Sequence, residues 1–176
     1  MDKARLLSGS SLFCELPQAE LDELARHAEC RNLPAHKIVV QQGSRSLEMY
    51  AVLRGRLKVQ REAEDGREAT LGLLEPGDVF GELAMLDGEP RTATVVTLEP
   101  CELLTLRHDI VVGFLENHPK VMRQLILLLC QRLRSTDSLV QDTLFLSLPQ
   151  RLGKMLKSLA LEHGDEGRID LKFTQQ

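Results

Sequence analysis

The sequence predicts an α+β fold in which a run of short strands, closing as a sandwich or barrel, is followed by one long helix. Two observations carry this expectation. Between Arg31 and Arg107 short apolar runs recur at regular spacing, separated by glycine and proline. From Pro119 the pattern changes to a seven-residue repeat that lasts to about Leu144. Composition permits both, since 176 residues at 43% hydrophobic content can bury one good core with length left for an appendage.

In chain order, residues 1 to 13 predict no more than a leading turn of helix. Pro17, the acidic Glu20 and Asp22, and Leu21, Leu24, Ala25 and Ala28 on one face predict an amphipathic helix ending near Glu29. Strands are expected at Ile38 to Val40, Met49 to Leu53, Leu57 to Val59, Ala69 to Leu74, Thr92 to Leu98 and Glu102 to Leu106, with Glu64-Asp65-Gly66 as a hairpin turn. A short helical segment covers Val111 to Leu115, and Pro119 opens the long helix.

On that helix Met122, Ile126, Leu129, Leu133, Thr136, Val140 and Thr143 alternate spacings of four and three, which is a coiled-coil seam. Val121, Leu125, Leu128 and Leu139 make a second stripe beside it, so the helix needs two partners. Its own strands and a second copy of itself are the simplest pair, which predicts a parallel homodimer through residues 119–145. Ser147 then caps a further helix, with Gln150 completing a capping box, Leu152, Met155, Leu156, Leu159 and Ala160 on its apolar face, and Gly164 at its end. Arg168 to Phe173 alternates as a strand, and Thr174-Gln175-Gln176 reads as the start of another helix.

A net charge of −4 lends no support to a nucleic-acid-binding surface on this stretch, because duplex DNA requires clustered Lys and Arg. No signal peptide and no apolar run near 18 residues is present, so a cytoplasmic protein with no membrane partner is expected. Cys14, Cys30, Cys101 and Cys130 are widely spaced and read as buried thiols, and the five histidines show no i, i+4 pairing. No metal is expected.

The stretch from Gly77 to Val95, GDVFGELAMLDGEPRTATV, carries the chemistry. Gly81 permits a sharp turn, and Glu82 to Leu86 is a short run of helix formers, so the amides of residues 82 to 84 are left unpaired at its start and favour an anion. Arg91 offers a planar fork suited to two phosphate oxygens, and Thr92 a further donor. Glu82 would repel a phosphate unless its oxygens turn to a neighbouring hydroxyl, and a ribose 2′-OH is such a group.

Phe80-Gly81-Glu82-Leu83-Ala84 and Pro90-Arg91-Thr92-Ala93-Thr94-Val95 resemble the phosphate-binding cassette of cyclic-nucleotide-binding domains, and most of the chain resembles the cyclic-AMP receptor protein (CRP/FNR) family of transcription regulators. The resemblance implies a double-stranded β-helix, a jelly-roll-like β-roll, over residues 1–118. It further implies a dimerisation helix over 119–145, then a hinge and the incomplete start of a winged helix-turn-helix over 146–176, the DNA-reading helices lying beyond. It implies that Gly81 and Glu82 hold the ribose 2′-OH, that Arg91 pairs the cyclic phosphate with the amides of Leu83 and Ala84, and that Thr92 serves the phosphate. Thr136 and Asp137 would reach the base, one from each subunit. Asp137 departs from the family, whose best-known member has a small hydroxyl residue there.

Cyclic AMP is the effector the resemblance favours. A threonine after the cassette arginine is associated with cyclic GMP in eukaryotic relatives, and Asp137 could accept from either purine. The reading is therefore the effector-binding and dimerisation part of a cyclic-nucleotide-responsive transcription regulator, with DNA a partner only of the full-length protein. The alternative is a stand-alone cyclic-nucleotide-binding module, for cAMP or cGMP, that regulates a partner protein. An enzyme acting on the same ligand needs a general base or a metal pair at the phosphate, and none is visible.

Overall fold

The structure is a computed structural model that describes residues 3–165 and 168–169. These fall into two compact units that divide within the long helix, after Leu127.

The first unit opens with α1 (Lys3–Ser8) and α2 (Gln18–His27), then builds eight strands. They are β1 (Glu29–Leu33), β2 (Ile38–Val40), β3 (Met49–Arg54), β4 (Leu57–Glu62), β5 (Glu68–Leu74), β6 (Val79–Phe80), β7 (Thr94–Thr97) and β8 (Cys101–Leu106). Between β6 and β7 lies α3 (Glu82–Asp87), and after β8 come α4 (His108–Asn117) and α5 (Pro119–Phe145). The strands form two antiparallel sheets, ordered β1-β8-β3-β6 and β2-β7-β4-β5. Side chains from both sheets meet in one core, Tyr50, Val52, Phe80 and Leu103 from the first against Val40, Leu57, Leu74 and Val95 from the second. This is the β-roll.

The first sheet is buried on its outer face as well, through Met49, Ala51, Leu104 and Leu106. That is why β3 reads Met-Tyr-Ala-Val, an unbroken apolar run rather than an alternation. Leu7, Phe13, Leu24 and Leu115 from the helical part of the unit are likewise buried, as are Val121 and Leu125 at the start of α5. The tight turn of the β4–β5 hairpin is closed at Gly66, whose φ of +79° only glycine adopts at little cost.

In the second unit the rest of α5 is joined by α6 (Leu148–His163) and a short hairpin, β9 (Gly164–Asp165) with β10 (Arg168–Ile169). Gln150 Oε1 accepts from both the amide and the hydroxyl of Ser147, at 2.9 Å each, which is the side-chain half of the expected capping box. Lys154 Nζ ties α6 to α5 by donating to Asp142 Oδ2 at 2.6 Å and Ser138 Oγ at 3.1 Å. The end of the expected strand beyond Ile169 and the Thr174-Gln175-Gln176 turn lie outside the described residues.

Several expectations need correction. β1 and β6 were not expected: β1 is mostly exposed and polar, and β6 is two residues long, so neither shows a period. β7 begins at Thr94 rather than Thr92, because the Arg91 backbone is held in the loop before it by its bonds to Gly43 and Ser44. The thiols are not all buried. Cys101 is, but Cys14, Cys30 and Cys130 are exposed, Cys30 because it sits on an edge strand, where its Sγ donates to Glu102 Oε1 at 3.1 Å. Among the described residues no helix is long and apolar enough to cross a membrane.

Leu104, fully buried on the strand that pairs with both β1 and β3, is the test of this core. Leu104→Ala is expected to cost about 2–5 kcal/mol, through lost transfer energy plus a residual cavity. A urea unfolding curve with a lower midpoint and unchanged slope checks it.

Candidate functional site

The site is built from three loops that the two sheets bring together: residues 43–48 before β3, the turn at Gly81 after β6, and Arg91 before β7. Gly81 is the N-cap of α3 and has φ +85°, in the left-handed region. A second constraint applies to it, since a Cβ there would stand 2.5 Å from Arg91 Nη1 and 2.8 Å from the Glu48 carbonyl oxygen. Glycine is required twice over. Gly88, at φ +72°, ends the helix after six residues, and His108 Nδ1 lies 2.8 Å from the Met85 carbonyl and fastens it from outside.

Arg91 is 4% exposed and Glu82 1%, an unusual depth for charged groups. The Arg91 guanidinium is satisfied at three points. Nε donates to Ser46 Oγ at 3.0 Å, Nη1 to the Gly81 carbonyl at 2.8 Å, and Nη2 to the Glu48 carbonyl. Its backbone is fixed too, with its amide donating to the Ser44 carbonyl at 2.9 Å and its carbonyl accepting from the Gly43 amide at 2.8 Å. Burial pushes the Arg91 pKa down, opposed by Tyr50 and by the Glu48 and Glu82 carboxylates, and the group remains a cation.

Tyr50 lies under this arginine, its ring centroid 5.9 Å from the guanidinium carbon, and stacks on Phe80 at 4.9 Å. Its hydroxyl donates to Glu48 Oε2 at 2.6 Å, while Arg31 Nη2 donates to Glu48 Oε1 at 3.0 Å. Burial, then the bond to Glu48, pushes the Tyr50 pKa up to about 12, so the ring stays neutral beside the cation.

The chemistry of these donors fits a cyclic phosphate. A guanidinium has five N–H groups, and the three engaged leave one on each terminal nitrogen. The first amides of α3 have no acceptor within the helix and no side-chain cap. Glu82, held buried in the same place, supplies a carboxylate.

Gly81, Glu82 and Arg91 are thus brought together, and Ala84 is buried with them, whereas Leu83 is 42% exposed and Thr92 is exposed. Thr136 and Asp137 lie on α5 in the second unit, both exposed, and Thr136 Oγ1 donates to the Arg132 carbonyl at 3.0 Å. Sequence reasoning missed Ser46, Glu48 and Tyr50. They precede Arg91 by more than 40 residues, and only their position between a Gly43 turn and an apolar strand hints at a loop facing a site. Among the described residues no group of three His, Cys, Asp or Glu is placed to hold a metal ion.

The profile of the cyclic nucleotide-binding domain family matches residues 30–118, half of the chain. A CRP-like cAMP-activated global transcriptional regulator of Mycobacterium tuberculosis is 28% identical over 169 residues, covering 96% of this chain and 75% of that protein. The cyclic AMP receptor protein of Thermus thermophilus is 35% identical, over 74% of this chain and 61% of its own length. Among solved structures, the catabolite activator protein of Thermus thermophilus superposes with a TM-score of 0.69 at 36% identity, over 77% of this chain and 63% of that one. The N-terminal domain of a transcriptional regulator from Streptomyces coelicolor A3(2) does so at 0.60 and 30%, over 77% and 94%. The chain therefore belongs to the cyclic nucleotide-binding domain family, and within it to the CRP-like group of transcription regulators.

Proposed function

We propose that this chain is the effector-binding and dimerisation part of a cytoplasmic, cyclic-nucleotide-responsive transcription regulator, with cyclic AMP as its preferred effector. The observation that carries this reading is the buried pair of opposite charges at the Gly81 turn, Glu82 at 1% and Arg91 at 4% exposure, beside the first amides of α3. The cyclic phosphate is received by the two remaining N–H groups of Arg91, the amides of Leu83 and Ala84, and the Thr92 hydroxyl. The ribose 2′-OH donates to the Glu82 carboxylate, with the Gly81 backbone beside it. The site recognises and performs no chemistry on its ligand.

Dimerisation is supported by the state of the α5 seam. Ile126, Leu133 and Val140 are 53%, 62% and 51% exposed in the single chain, a run of apolar side chains suited to a second copy. In such a dimer Thr136 and Asp137 meet the base, one from each subunit. Nucleotide binding then favours one arrangement of the two α5 helices, and the coupling reaches the DNA-binding domain of the full-length protein through the Phe145–Ser147 joint. A stand-alone module has no use for this seam, which is why the regulator is preferred.

Calorimetric titration of the purified chain with cyclic AMP, cyclic GMP and cyclic di-GMP tests the reading, and binding of none would overturn it. Arg91→Leu is expected to weaken cyclic AMP binding by a factor on the order of 100 or more, the cost of leaving a buried charge unpaired. It is also expected to lower stability by about 1–3 kcal/mol, because the Gly81 and Glu48 carbonyls lose their donor.

Leu133→Glu places like charges across the two-fold axis and is expected to give a monomer by light scattering; an unchanged dimer would place the interface elsewhere. Competition between cyclic AMP and cyclic GMP on wild type, Thr92→Ala and Asp137→Ser tests base choice. Cyclic AMP is expected to win on the wild type. Tighter cyclic GMP binding that Thr92→Ala reverses would make Thr92 the purine selector instead.

A further inference from the structure

We propose that Ser46 is a positioning residue for the phosphate, acting through Arg91. The inference rests on the cyclic-nucleotide reading and adds to it a residue that lies 45 positions before the arginine, outside the cassette.

Arg91 must present two particular N–H groups to a phosphate, and its side chain has four rotatable bonds with which to present them wrongly. Two of its three fixed points are backbone carbonyls, those of Gly81 and Glu48, both held by the terminal nitrogens. Two points leave a hinge. The guanidinium plane can still rock about the line joining those contacts, and the free hydrogens on Nη1 and Nη2 rock with it. A third point off that line fixes the plane, and the contact from Nε to Ser46 Oγ at 3.0 Å is that point. The Tyr50 ring, 5.9 Å away, limits travel on one side without supplying direction.

Ser46 is also delivered accurately. Its loop is registered on the Arg91 backbone through the Gly43 and Ser44 hydrogen bonds, and two residues further on Glu48 is held by Arg31 and Tyr50. Ser46 is half-buried, so its hydroxyl is not diluted by bulk water. The contact is the only one of the three made by a side chain, and hence the only one that a substitution can delete without moving backbone.

The test uses the full 176-residue chain with cyclic AMP as the probe. Ser46→Ala is expected to weaken binding roughly tenfold, the usual effect of deleting one hydrogen bond to a charged group. Ser46→Thr, which keeps the hydroxyl, is expected to recover most of that loss. The urea midpoint of Ser46→Ala is expected to fall slightly, since the buried Nε–H loses its acceptor, and that of Ser46→Thr to match the wild type. A second readout needs no ligand: the Arg91 Nε–H proton, seen by NMR, is expected to exchange with water faster in Ser46→Ala and at the wild-type rate in Ser46→Thr. Unchanged cyclic AMP affinity in Ser46→Ala, or an unchanged Nε–H exchange rate, would overturn the role. So would a Ser46→Thr variant as weak as Ser46→Ala. Wild-type chain that binds neither cyclic AMP nor cyclic GMP would overturn the underlying reading, a result distinguishable from failure at Ser46 because it shows in the unsubstituted protein.

Discussion

A guanidinium buried to 4% exposure has to find its hydrogen bonds inside the protein, and that requirement organises the β-roll around Arg91. Its three partners come from two loops of the first sheet, the 46–48 segment ahead of β3 and the Gly81 turn after β6, while Arg91 itself leads into β7 of the second sheet. One side chain therefore clasps the two sheets at the edge where the Gly81 turn, Glu82 and Arg91 come together. The left-handed Gly81 follows from the same demand, because any Cβ there would occupy the space of Arg91 Nη1. Glu82 follows as well: a carboxylate this deeply buried is tolerable beside that cation and costly elsewhere.

The clasp explains why the site tolerates a small fold. A cassette made of one six-residue helix between two glycines has little stiffness of its own. Here it is braced on one side by His108 against the Met85 carbonyl and on the other by the Gly81–Arg91 bond. The Arg31–Glu48–Tyr50 chain carries the bracing back to β1 and β3, with the Tyr50–Phe80 stack joining β3 to β6. Polar and aromatic groups thus form one connected support, and the Gly81 turn and Arg91 are held by packing rather than by loop length.

How much of this was legible in the sequence depends on the range of each interaction. Gly81, Glu82 and Arg91 lie within eleven consecutive residues, and their chemistry names an anion and a hydroxyl without knowledge of the fold. The long helix was legible because its heptad spacing is purely local, and the observed Pro119–Phe145 span agrees within a residue. Ser46 and Glu48 were not legible, since what matters is their approach to Arg91 across the roll, which no local period encodes. β1 escaped for a related reason: its Glu-Cys-Arg-Asn-Leu is held by pairing with β8 rather than by burial, so it carries no apolar alternation. The exposure of Cys30 is the same fact seen from its side chain.

The two stripes of α5 divide along its length, and the division bears on what the helix can do. Val121 and Leu125 are fully buried, while the seam residues Ile126, Leu133 and Val140 each keep half or more of their surface. Past Leu127, where the first unit ends, α6 ties the helix through the Lys154 bonds to Asp142 and Ser138, which leave the seam side chains open. At about 1.5 Å per residue the remaining 18 residues, 128–145, extend for roughly 27 Å. An isolated helix of that length in water is marginal, and burying a seam of Leu133-type residues against a second copy is the economical way to hold it. Thr136 lies on that seam and Asp137 directly beside it, so in a dimer they stand next to the axis, where a polar group is costly unless something hydrogen-bonds to it. A purine offers donors to the Asp137 carboxylate, and the same physics that makes these residues poor members of a dry seam makes them suitable contacts for a base.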